Sequence, residues 1–172
     1  MKIRAMPMML SLALTLGILF GGWNTYQHFY VQQPIRAFIA EKQQVELSNI
    51  HFYHDQVKAE LNFTDPNTFA ADYKDIKDFI SDQTGKKVVL QLPVVDEQMK
   101  DLWEEEYFSI AEAMKKQEYS EIPKIMEKIK MERHIEKTVS RMDEENVYVF
   151  LQKGSNHLYA VLPFKEEVKP IE

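Results

Sequence analysis

The stretch VKAELNFTDPNTFAADYKDIKDFISDQTGKKVVLQLP, residues 57–93, changes its apolar period twice and so marks two strands with a helix between them. Val57, Ala59, Leu61 and Phe63 alternate with Lys58, Glu60 and Asn62, the pattern of a strand with one buried face. Asp65-Pro66 then supplies a helix start, with Asp as the cap and Pro in the first helical position. Phe69, Tyr73, Ile76 and Ile80 recur at helical spacing, and Thr84-Gly85 is the stop. Lys86-Lys87 leads directly into Val88-Val89-Leu90-Gln91-Leu92, a short apolar strand closed by Pro93. Upstream, Val45 and Leu47 begin the same alternation, and the polar cluster His54-Asp55-Gln56 turns residues 50–53 back against 57–63. The expectation is a ββαβ unit whose crossover helix lies on one face of the sheet.

Working toward the C-terminus, residues 96–114 read as an amphipathic helix. Met99, Leu102, Trp103, Ile110, Ala111 and Met114 form one stripe, with Glu104, Glu105 and Glu106 on or beside the other. Ser120 with Pro123 opens a second helix carrying Ile122, Ile125, Met126 and Ile129. After Arg133 the segments 135–142, 147–152 and 158–164 are separated by Asp143-Glu144-Glu145-Asn146 and Lys153-Gly154-Ser155-Asn156. Both separators are rich in turn formers, so a three-stranded antiparallel β-meander is expected. No Gly/Ser-rich linker lies between Leu92 and Asp96, which favours one α+β domain over two and leaves open whether the two β regions share a sheet.

Toward the N-terminus, Lys2 and Arg4 precede an apolar run over residues 5–23. A bilayer core of roughly 30 Å takes about 20 apolar helical residues, so this run is expected to be an N-terminal transmembrane helix. No further Lys or Arg occurs before Arg36, and the positive-inside bias makes residues 1–4 a cytoplasmic n-region with the rest of the chain outside. Trp23, Tyr26, Phe29 and Tyr30 suit a membrane-interface belt. A secretory signal begins in the same way but usually ends in small residues of the A-x-A kind. Here the core runs into Phe20-Gly21-Gly22-Trp23, so the expectation is an uncleaved single-pass anchor in the cell membrane, with secretion after cleavage as the alternative. Residues 24–44, interrupted by Pro34 and carrying Ile35, Phe38 and Ile39 at helical spacing, read as a juxtamembrane stalk. Residues 45–164 form the extracytoplasmic domain, and 165–172 a polar tail.

Composition removes several functions. The chain has no cysteine, hence no disulfide framework, thiolate metal site or Cys nucleophile. Its formal net charge is −6 despite the basic N-terminus, which disfavours nucleic acid as a partner. His51, His54 and Asp55 offer metal-ligating atoms, but a structural zinc site takes four ligands and no second cluster is near in sequence. Thr84-Gly85-Lys86-Lys87 lies after a helix and before a strand, the reverse of a phosphate loop. Glu104, Glu105 and Glu106 project about 100° apart on a helix and read as a solvated face rather than an acid/base pair. The five histidines are scattered, and no G-x-S-x-G elbow is present. No catalytic, cofactor-binding or metal-ligating residue is therefore expected. Phe108, off the apolar stripe, and its neighbour Tyr107 are the candidate partner surface.

The alternating strand Val57-Lys58-Ala59-Glu60-Leu61, the helix end Ile80-Ser81-Asp82-Gln83-Thr84-Gly85 and the strand Lys86-Lys87-Val88-Val89-Leu90 carry a resemblance of fold. Residues 57–92 resemble the small ββαβ domains displayed outside the membrane by ring-building proteins of Gram-positive sporulation. The acidic helices after Asp96 have no counterpart in that small motif. The resemblance implies self-association or complex assembly. The sequence as a whole leads to a membrane-anchored, non-catalytic domain for protein interaction in a bacterial envelope. Its partners would be the membrane through residues 5–23 and either itself or another membrane protein. The alternatives are an envelope hydrolase whose carboxylates meet only on folding, or a small-ligand sensor.

Overall fold

A computed structural model describes residues 5–93 and 96–164, with side chains from residue 9 onward except those of 23–28. The alternation that opens the sequence forms β2 (Gln56–Phe63), with Val57, Ala59, Leu61 and Phe63 all buried. Strand β1 (Val45–Phe52) pairs with it antiparallel, and β3 (Lys87–Gln91) pairs on its other side in parallel. The register of β1 shifts between Leu47 and Asn49, so Ser48 is bulged out of the ladder. The parallel return is made by α3 (Phe69–Thr84), as expected. Gly85 ends α3 at φ 62°, a left-handed conformation that glycine adopts without steric cost, and its N–H donates to the Ser81 carbonyl at 2.7 Å. The start of α3 differs from expectation. Asp65 accepts the Asn67 N–H at 2.9 Å in a turn of its own, and the helix begins at Phe69 behind an uncapped Thr68.

The meander forms as β4 (Lys137–Met142), β5 (Asn146–Lys153) and β6 (Asn156–Pro163). Every residue of β5 from Asn146 to Leu151 is buried, because both faces of this sheet are covered. Val147, Val149, Leu151 and Leu158 pack against α4 (Glu97–Lys115) and α5 (Ile122–Arg133) through Met99, Ile110, Met126 and Ile129. Tyr148, Phe150 and Tyr159 face the other way and join the core of the ββαβ unit. There the Phe69 ring lies 4.8 Å from Phe63, 4.7 Å from Tyr159 and 5.6 Å from Tyr148. Lys77 and Lys74 of α3 reach Glu145 at 2.9 Å and Glu144 at 3.8 Å beside this cluster. The two β regions are thus separate three-stranded sheets, joined edge to face by aromatic side chains.

Two expectations for the N-terminal part change. Helix α1 (Ala5–Tyr26) continues through a π-helical stretch (Gln27–Gln32) into α2 (Gln33–Glu41). Pro34 does not end the helical path; it lies at the start of α2 directly after the π-helical stretch, where the i→i−4 ladder is already interrupted. Ile35 and Ile39 are fully buried, and Phe38 stacks on Phe79 of α3 at 4.1 Å. Lys42, just past α2, pairs with Asp72 at 3.1 Å and Asp75 at 2.5 Å. The second half of the expected stalk is therefore part of the core. The expected transmembrane helix over 5–23 is not supported as a span. Among the described residues no helix is long and apolar enough to cross a membrane. The n-region 1–4 and the tail 165–172 lie outside the described residues.

Candidate functional site

Three surfaces stand out once the core is accounted for. The first is α1. All its described side chains, residues 9–22, are exposed, from Leu10 at 76% to Phe20 at 79%. Leu12, Leu14, Leu16, Ile18 and Leu19 lie between them on every side of the helix. At Gly17, Gly21 and Gly22 no atom from elsewhere in the chain comes within 4 Å of where a Cβ would sit. Of the expected interfacial aromatics, Phe29 and Tyr30 are exposed in the π-helical stretch. Trp23 and Tyr26 close α1, and their side chains lie outside the described residues.

The second surface is on α4. Asp96 caps this helix by accepting the Gln98 N–H at 2.9 Å. With Met99, Ile110 and Ala113 buried, the helix turns Phe108 outward at 77% exposure and Tyr107 at 41%. Tyr107 leans on the half-buried Trp103, ring centres 5.6 Å apart, and these side chains with Phe108 and Glu104 line a depression of about 330 Å³. The glutamate run is not simply solvated. Glu105 and Glu106 both reach Arg133 at the end of α5, at 2.8 and 2.7 Å, because one guanidinium fork spans two neighbouring helix positions. These ion pairs link α4 to the end of α5.

The third is a groove of about 600 Å³ that the sequence did not reveal. Glu60, Leu61 and Asn62 from β2, Gln91 at the end of β3 with Leu92 and Pro93 after it, and Asp96 line it. The β5–β6 hairpin supplies Ser155, Asn156, His157 and Tyr159, and the bulged Ser48 closes an end. These positions come from widely separated segments, so no local spacing could have grouped them.

The other sequence candidates are not brought together. His51 sits 3.0 Å from the Asn49 amide, while His54 and Asp55 are exposed at the β1–β2 turn. Among the described residues no group of three or more His, Asp or Glu side chains could hold a metal ion. The perturbed groups are structural. Burial pushes the Asp143 carboxyl up, but hydrogen bonds from the Tyr148 hydroxyl at 2.6 Å and from the Glu145 and Asn146 N–H groups outweigh it and lower its pKa. Burial, with Asp143 beside it, raises the Tyr148 hydroxyl, and burial next to Asp65 takes Tyr159 to about 12. No protein-family model matches this chain, and no match is found among curated proteins or solved structures.

Proposed function

We propose that this chain is a membrane-anchored, extracytoplasmic, non-catalytic domain serving protein interaction or complex assembly in a bacterial envelope. The observation that carries the reading is the exposed apolar sleeve of α1 over residues 9–22. Each Leu, Ile or Phe on such a helix favours the bilayer centre by about 0.3–0.6 kcal/mol, whereas in water a contiguous apolar surface of this kind drives association. The sequence extends the apolar run at both ends, through Ala5, Met6 and Met8 and on to Trp23. Lys2 and Arg4 orient it with the folded part outside. Tethering raises the effective concentration of a binding surface without an active site, and the exposed Phe108 and Tyr107 offer such a surface.

The absence of cysteine allows a direct test. Ser155→Cys, at an exposed hairpin tip, is expressed in cells and probed with a membrane-impermeant maleimide. The reading expects labelling of intact cells and a chain that stays with membranes through alkaline carbonate. Release by carbonate refutes the anchoring, and labelling only after lysis refutes the outward orientation of the domain. A photo-crosslinking residue at Phe108 then tests the surface, and absence of a specific protein adduct there overturns its assignment.

A further inference from the structure

The parallel pairing of β2 and β3 ends at Glu60 opposite Gln91, and the two strands part just beyond it. The groove lies at this end of the pair, lined by Glu60, Leu61 and Asn62 of β2 and by Gln91, Leu92 and Pro93. Ser48, bulged out of the β1 ladder, also lines it, and Asp96 and the β5–β6 hairpin supply the remaining residues. Its volume of about 600 Å³ falls within the roughly 300–1,000 Å³ of small-molecule sites.

The lining selects the ligand. Glu60 and Asp96 bring carboxylates, Asn62, Gln91 and Asn156 bring amides, and His157 an imidazole. Among the described residues no Lys or Arg lines the groove, so an anionic ligand would meet two carboxylates and no fixed countercharge. A purely apolar ligand would strip water from these polar groups without replacing its hydrogen bonds. Amides donate and accept at once, which matches hydroxyls that do the same. One oxygen of Asp96 caps α4, so Glu60 is the better placed countercharge for a cation. Leu92 and Pro93 offer an apolar strip for a C–H face.

We infer that the groove between the two sheets binds an amino sugar of about disaccharide size, its amine on Glu60 and its hydroxyls on the amides of Asn62, Gln91 and Asn156. This inference stands apart from the anchoring and from the Phe108 surface. The test uses the full chain in detergent micelles, titrated with the β-1,4-linked dimer of glucosamine and, separately, with its diacetylated form. Saturable binding of the free amine with a Kd of about 1 mM or tighter is expected, with the acetylated dimer at least fivefold weaker. Glu60→Gln, at an exposed position, is expected to weaken the amine form at least fivefold with an unchanged unfolding temperature. Gln91→Ala should weaken both forms. No saturation by about 10 mM, binding indifferent to both substitutions, or tighter binding of glucose 6-phosphate than of the amine would overturn the assignment.

Discussion

Replacing Phe69 by Ala tests whether the two sheets form one cooperative unit. The ring is fully buried and touches Phe63, Tyr148 and Tyr159, with Tyr73 at 5.9 Å, so it belongs to both halves of the joint. Truncating a buried Phe costs about 3–5 kcal/mol, a large part of the roughly 5–15 kcal/mol that holds a domain folded. At a urea slope of about 2 kcal/mol per molar, a loss of about 4 kcal/mol lowers the midpoint by about 2 M. The assay is equilibrium urea unfolding in micelles, with Trp23→Phe as background so that Trp103 is the only indole. Trp103 packs with the α4–α5 cluster on the far side of the meander from Phe69. If the aromatic joint couples the units, Trp103 fluorescence and far-ultraviolet circular dichroism shift together by the same amount. A Trp103 midpoint that stays in place while the dichroism splits into two steps would refute the reasoning.

Three further outcomes follow from particular residues. Ile39→Ala should cost about 2–5 kcal/mol, and a chain beginning at residue 45 should fail to fold where one beginning at 33 succeeds; indifference to both would return α2 to the role of a stalk. Asp143→Asn should destabilise by about 1–3 kcal/mol near neutrality. The folded pKa of Asp143 is lowered, so its stabilisation is complete above the ordinary carboxyl value of about 3.9 and is lost as pH falls through the lowered one. The gap between wild type and variant in thermal unfolding should therefore narrow below about pH 4, and a constant gap contradicts the assignment. His134→Gly should raise stability by about 0.5–1 kcal/mol, because His134 ends α5 in the left-handed conformation at φ 55°; a lower unfolding temperature would show that its side chain contributes more than the strain it causes.

What could be read from sequence follows from where periodicity is local. The run from Val57 to Leu90 was legible because period two and period 3.6 are easily separated, and Gly85 stands where only a left-handed residue ends the helix. The meander was legible from its turn formers, and Gly154 does take the left-handed conformation at φ 61°. Asp65-Pro66 misled by three residues because an Asx turn uses the same residue types as a helix cap. Phe108 was legible as the large residue off the stripe. The groove was not, since Ser48, Glu60, Gln91 and His157 meet only in three dimensions.

An apolar stripe such as Ile35, Phe38 and Ile39 declares that a face is covered and leaves open whether lipid or protein covers it. Here the cover is α3 and the first sheet, and the helical path from α1 into that core is unbroken. Between Tyr26 and Ile35 the chain advances by about 14 Å at helical rise, where an extended chain of the same residues would reach about 30 Å. On the proposed anchoring, with α1 in a bilayer, the folded unit would be held close to the membrane surface and would turn with its anchor. A surface with so short a reach meets proteins of the same membrane far more often than distant layers of the envelope. That geometry favours a second membrane protein, or another copy of this chain, as the partner of the α4 surface.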